Sequence, residues 1–400
     1  MSRKTKIFIT IVIIIILAIP GLWWLLFAED KTGEKGFFGG FFGGGTGLPQ
    51  GEETEKSGGD VSIEGENGFP EGTIQKDGIL LIPLTKEAVT GAVTAKGEQK
   101  VKYFRRDTGH LYEIPFDGRG ETVRLSNLTM PGVLDAVWNS DKSRAIISFL
   151  DKNELKRFST LYVGTSTEGV FLDNGAGNIA FAPAGDKIGY FLRTGTSYSF
   201  ITSSPDGKNK KSVYSTAVPD FEVSWISNQL LSLKTKSSAF APSALATLST
   251  SGVFTIMVSE KNGLDVLWSP DQNTFLYSET KREGRDLALF LATLAKPKEA
   301  KALSFKTLPE KCAWSLNPAV LYCAIPRDLE RSTLPDSWWR GDISFEDVLW
   351  KINTATGETS LLLDEPGFDM INLFTSRDEN YIFFINKKDS ALWSLRLPEN

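Results

Sequence analysis

Leu267-Trp268-Ser269-Pro270-Asp271 decides the fold. A short apolar strand ends on an aromatic, a Ser-Pro-Asp turn reverses the chain, and Phe275-Leu276-Tyr277 opens a second strand. Pro and Asp are turn residues for separate reasons: Pro presets φ, and the Asp carboxylate bonds to backbone N–H groups just ahead of it. The same unit recurs at Val137-Trp138-Asn139-Ser140-Asp141, Ala180-Phe181-Ala182-Pro183, Ser224-Trp225-Ile226-Ser227, Ala313-Trp314-Ser315-Leu316-Asn317-Pro318 and Leu373-Phe374-Thr375-Ser376-Arg377-Asp378. Spacings between the aromatics are 43, 44, 43, 46 and 60 residues. One step back from Trp138 lies Thr94, a weaker seventh copy that leads into the strand Val101–Arg105.

A second turn follows about 25 residues later in several units, as at Asp117-Gly118, Asp206-Gly207 and Thr356-Gly357. Gly there supplies the positive φ that tight hairpins require. Each unit is therefore a meander of four short strands, and four strands every 40-odd residues is the signature of a β-propeller blade. No 3.6-residue periodicity supports a helical solenoid. The last unit ends with Ala391–Leu397, one strand short, while Ile79-Leu80-Leu81-Ile82-Pro83-Leu84 precedes the first unit with no partner of its own. Pairing these two segments closes the ring and removes both exposed edges. The expectation is an all-β, seven-bladed propeller over residues 78–400, with six blades as the alternative.

The Trp-Ser-Pro-Asp turn at 268–271 and the Asp-Gly turns resemble the TolB-like, WD-like propeller repeats of bacteria. The resemblance covers roughly residues 79–400 and carries only the turn motif; no binding residue of that family can be placed on this chain. It is not a true WD repeat, since the Gly-His and Trp-Asp signatures are absent. It implies a protein-interaction or envelope role. Similar propellers also occur in prolyl-oligopeptidase-type enzymes, but no Gly-x-Ser-x-Gly elbow is present here.

Upstream, Arg3, Lys4 and Lys6 precede an uncharged run from Ile7 to Phe27, ending near Trp23 and Trp24. About 20 apolar residues span a bilayer as a helix, and basic residues stay on the cytoplasmic side. Residues 1–28 thus read as a cytoplasmic start plus an uncleaved membrane anchor, with a cleaved signal peptide as the alternative. Residues 29–77, including Phe37-Phe38-Gly39-Gly40-Phe41-Phe42, show no strand or helix period and read as a disordered, flexible tether.

The 400 residues are 41% hydrophobic and 23% charged, a globular composition. The net charge of −5 argues against nucleic acid as a partner. With one His and two Cys, a His-only metal site and a four-cysteine zinc site are both impossible. No cofactor is expected. The single candidate His110 sits in an Asp107-Thr108-Gly109 turn, where a solvated role is expected.

Cys312 and Cys323 are placed symmetrically about the turn Leu316-Asn317-Pro318-Ala319, so an antiparallel hairpin sets them opposite each other, within disulfide reach. An oxidising compartment favours the bond; two buried thiols are the alternative. The 60-residue step holds a surplus between Ile325 and Phe345 with Trp338, Trp339 and Arg340, residue types typical of interface hot spots. These three are the candidate partner-binding residues, with the capping of a blade by one Trp as the competing role. Together the sequence points to a non-enzymatic, membrane-tethered, extracytoplasmic module that recognises a protein partner at the cell envelope. The alternative is a carboxylate-based hydrolase or lyase, or a glycan binder, acting on envelope polysaccharide. An enzyme should gather two or more acidic groups with shifted pKa at the mouth of the central channel.

Overall fold

A computed structural model describes residues 61–62 and 68–398, apart from 77, 96, 98, 164–165, 220 and 330–331. The anchor at 1–28 and most of the tether lie outside the described residues. No helix among the described residues is long and apolar enough to cross a membrane.

Seven antiparallel sheets follow one another along the chain. Blade 1 begins with the strand Val89–Thr94, blade 2 with Val133–Trp138, blade 3 with Ile179–Phe181 and blade 4 with Glu222–Ser227. Blades 5, 6 and 7 begin with Val266–Trp268, Cys312–Trp314 and Met370–Thr375. Successive strands in each blade are neighbours, so every blade is an up-and-down meander. Pairing within it is local, which is why the period was visible in the chain.

The ring closes as expected. Ile79–Pro83 pairs antiparallel with Leu392–Arg396, with Leu81 opposite Leu395 and Ile82 opposite Ser394. Leu81 and Ile82 are buried on opposite sides of this strand, against blades 6 and 1 respectively. The sheet does not stop there. Ile74–Lys76 and Val61–Ser62 add further strands, so the seventh blade has six strands and the chain joins it well before residue 78. Ile74-Gln75-Lys76 is too short to show alternation, so it read as tether.

Each adjacent pair of blades shares one apolar cluster. Val101 and Phe116 of blade 1 meet Phe383 and Leu392 of blade 7. Phe104 meets Trp138, Ile146 meets Tyr190, Phe200 meets Leu231, Leu245 meets Phe275, Leu276 meets Cys323, and Tyr322 meets Phe384. Seven such layers make the wall of the ring.

The repeated aromatic explains itself here. The indole N–H of Trp138 donates to the Gly91 carbonyl at 2.8 Å, that of Trp225 to Ala180 at 3.2 Å and that of Trp314 to Leu267 at 3.4 Å. Each acceptor lies on the first strand of the preceding blade. The Trp therefore fills the gap between blades and ties their inner strands together. The turn after it is tied by its own Asp: Asp271 Oδ1 accepts the N–H groups of Asn273 and Thr274 at 2.9 and 3.1 Å.

Cys312 and Cys323 form a disulfide, directly opposite each other with Cα atoms 4.1 Å apart. It staples the inner hairpin of blade 6 beneath Trp314 and Leu276.

Candidate functional site

The links between first and second strands, with their Ser-Pro-Asp turns, lie on one face of the ring. The links between second and third strands, and the crossings from blade to blade, lie on the other. On this second face the first strand of each blade starts beside the channel. Polar residues stand at or just before those starts: Asp135, Asn178, Glu222, Asp265, Glu310 and Asp369.

Two of them, Glu222 and Asp265, are joined through a lysine. Lys234 ends the second strand of blade 4 with its side chain almost fully covered. Its Nζ lies 2.8 Å from Glu222 Oε2 and 3.0 Å from Asp265 Oδ1. Burial opposes the charge on Lys234, but the two carboxylates outweigh it and hold its pKa above the usual lysine value. Glu310 stands beside this group in the short turn Pro309–Lys311. Burial, then the negative charge of Asp265, push Glu310 up to about 7. The indole N–H of Trp339 donates to its Oε1. Surrounding protein also raises Asp135 by desolvation, although the residue keeps access to solvent.

The mouth opens into two cavities between blades 2, 3 and 4. One, of about 480 Å³, is lined by Arg157, Asn178, Tyr198, Phe221, Glu222 and Lys236. The other, of about 270 Å³, is lined by Asp135, Arg157, Asn178 and Glu222 together with inner-strand apolar residues. Arg157, Asn178 and Glu222 line both, so the two are adjacent.

The insertion at 327–346 lies over the other side of this face. It leaves between the second and third strands of blade 6, Val320–Pro326 and Asp347–Asn353, as expected. From there it reaches blades 4, 5 and 7. Asp336 accepts from Ser238 Oγ at 3.0 Å and from the Ala239 N–H at 2.7 Å. The Leu334 N–H donates to the Gly284 carbonyl at 3.2 Å. Lys387 Nζ donates to the Trp338 carbonyl at 2.7 Å.

Beneath the insertion sits a fully buried ion cluster. Lys311 Nζ lies 2.7 Å from Asp347 Oδ2 and 2.6 Å from Asp369 Oδ1, with all three side chains at 0% exposure. It also donates to the Met370 carbonyl at 3.1 Å, and it lies 4.9 Å from the centre of the Trp338 ring. Burial raises Asp347 to about 6 despite Lys311. Burial acts the same way on Asp369, but Lys311 and the donors from Phe345 and Trp338 hold it below the ordinary value.

Trp338, Trp339 and Arg340 therefore separate. Trp338 is 1% exposed, and its indole N–H donates to Asp369 Oδ2 at 2.9 Å. That corrects its expected place on a contact surface: a buried carboxylate needs donors, and Trp338 supplies one while roofing Lys311. Trp339 is 37% exposed and caps Glu310. Arg340 is exposed and paired with Asp342 at 2.7 Å. His110 bonds Thr129 Oγ1 at 3.0 Å on the edge of blade 1, away from the mouth. Among the described residues no three His, Cys, Asp or Glu side chains group as metal ligands.

The mouth residues escaped the sequence reading, yet they carry a signal. Asp135, Asn178, Glu222, Asp265 and Lys311 each stand three residues before the repeat aromatic. A polar position kept inside the period of an apolar strand marks the side that faces the channel.

No family model matches the sequence, and no curated protein matches it. Solved structures do resemble it in fold. An oligogalacturonate lyase from Vibrio parahaemolyticus has a TM-score of 0.56 at 10% identity, covering 80% of this chain and 94% of the lyase. An oligogalacturonate lyase in complex with manganese has a TM-score of 0.59 at 10% identity, covering 82% and 96%. The tricorn protease has a TM-score of 0.53 at 8% identity, where the match covers 81% of this chain and 34% of the protease. At such identities the likeness extends to architecture and no further. The chain is, by fold, a seven-bladed β-propeller closed by its own N-terminal strand.

Proposed function

We propose that this propeller is a carboxylate-dependent enzyme acting on a polysaccharide of the cell envelope, held outside the membrane by its N-terminal anchor. The reading rests on one observation: Glu310, which burial and the charge of Asp265 push up to about 7, stands beside the group in which Lys234 pairs with Asp265 and Glu222. Glycosidic bond cleavage needs one carboxyl that keeps its proton near neutral pH and a second that acts as base or nucleophile. Glu310 donates its proton to the departing oxygen, and the carboxylate of Asp265 or Glu222 activates water or attacks the sugar. The cavities that Glu222 lines are large enough for a saccharide, and Tyr198 and Phe221 are part of the lining of the larger one. The fold neighbours include oligogalacturonate lyases, which supports cleavage of a saccharide chain as the kind of activity. The TolB-like turn motif supports the envelope setting.

The test is turnover. The full-length chain, purified in detergent, is incubated with a panel of envelope and plant polysaccharides, and new reducing ends and unsaturated products are measured. Activity on at least one substrate should vanish in Glu310→Gln. Absence of turnover on the whole panel, or full activity in Glu310→Gln, refutes the reading.

A second reading, protein recognition, is favoured by blade 2. Leu150, Leu155 and Phe171 are 48%, 41% and 61% exposed on its second, third and fourth strands, an apolar patch that a partner could cover.

A further inference from the structure

Arg157 lines the mouth with no direct acidic partner among the described residues. It lies on the third strand of blade 2, Glu154–Val163, and lines both cavities. The residue is half-buried, and burial acts against its charge. Yet no side chain or carbonyl among the described residues accepts a hydrogen bond from it, and no carboxylate lies within ion-pair distance. Asp135 is the nearest opposite charge and acts only across a gap. Lys234, by contrast, holds two carboxylates, and Lys311 holds two more. A half-buried guanidinium with five donors and no protein acceptor is open to an acceptor from a ligand in the cavity. The cavity beside it also contains the side chains of Asn178 and Lys236, the latter exposed and without an ion pair.

We infer that Arg157 is an anion-recognition residue of this mouth, and that the saccharide it receives carries a fixed negative group. This deepens the proposed activity and rests on that reading for the saccharide. The planar fork of Arg157 takes two oxygens of the group at once, Lys236 approaches from the solvent side, and Asn178 donates alongside. The shared chemistry is an oxyanion, which two sources supply: the carboxylate of a uronate residue, or the phosphate of a phosphodiester-linked polymer. Asp135 and Glu222 line the same cavity and disfavour an anion placed against them. The charged group is thereby held at Arg157.

Calorimetric titration of full-length Glu310→Gln, which leaves ligands uncleaved, gives the test. The probes are an oligouronate, a glycerol-phosphate oligomer and a neutral oligosaccharide of equal length. The expected result is tight binding of one of the two anionic probes and at least about tenfold weaker binding of the neutral one. Adding Arg157→Gln should lower the anionic affinity at least about tenfold and leave the neutral affinity unchanged, with Arg157→Lys in between. Lys236→Gln, at an exposed position that leaves the fold intact, should flatten the salt dependence of anionic binding. Equal affinity for charged and neutral probes, or an Arg157→Gln variant that binds anionic probes as tightly as its parent, overturns the inference. Which anionic probe binds identifies the source. Anionic binding that requires Arg157, with no turnover in the wild-type chain, leaves this inference standing and refutes the enzyme.

Discussion

Replacing Lys311 by Met removes the cation from a buried cluster and keeps most of its volume. Asp347 and Asp369 would then face each other at 0% exposure with no positive charge between them. Asp347 already sits at about 6 instead of 3.8. Keeping it ionised at pH 7 therefore costs about 3 kcal/mol even with Lys311 present. Its Oδ1 has no hydrogen-bond partner to absorb the loss. Breaking a buried pair by deleting one partner costs about 3–5 kcal/mol, and that is the expected loss at pH 7.

The pH dependence has a definite sign. A carboxyl raised above its unfolded value binds a proton more tightly when folded, so its contribution is present at low pH and lost as pH rises through its folded pKa. In the wild type that window for Asp347 runs from about 4 to about 6. Asp369, held low by Lys311, acts in the opposite sense and loses stability as pH falls. Without Lys311 both carboxyls are raised, so Lys311→Met should recover stability steadily from pH 8 to pH 5 relative to wild type. Urea unfolding at four pH values measures this. Adding Asp347→Asn should restore part of the loss, because one buried charge disappears. A loss under about 1 kcal/mol at pH 7, or a difference from wild type that does not change with pH, would refute the account of the cluster.

Further outcomes follow from other parts of the ring. Reducing the Cys312–Cys323 bond, or replacing both by Ser, should cost about 2–3 kcal/mol in the same unfolding assay, given the short loop it closes. Trp225→Phe keeps most of the ring volume but leaves the Ala180 carbonyl without its donor, and should cost about 1 kcal/mol. Deleting residues 1–84 uncovers the edge Leu392–Arg396 and the cores around Leu81 and Ile82; aggregation and loss of a cooperative melt are expected, whereas deleting residues 1–58 should leave the melt unchanged. The rate on any substrate found should fall as pH rises through about 7, where Glu310 loses its proton, and that limb should be absent in Glu310→Gln.

What the sequence determined by itself was whatever depends on neighbours along the chain. The turn Trp268-Ser269-Pro270-Asp271, the 43-residue step and the symmetry of Cys312 and Cys323 about one hairpin are local, because antiparallel pairing joins residues a few positions apart. Even closure was legible, since an unpaired apolar strand at one end and a missing strand at the other leave a single economical solution. The two outermost strands of blade 7 were not, being too short to show a period. Only the tertiary structure decided which side chains meet at the axis. Glu222, Lys234, Asp265 and Glu310 come from three blades, and nothing in the spacing of Lys234 along an apolar strand foretells two carboxylates beside it. The same holds for Trp338, which reads as a surface aromatic until Asp369 and Lys311, packed from another part of the ring, draw it inward. Hydrogen bonding along a hairpin is written in consecutive residues; charge balance across a channel depends on the angle at which separate sheets converge.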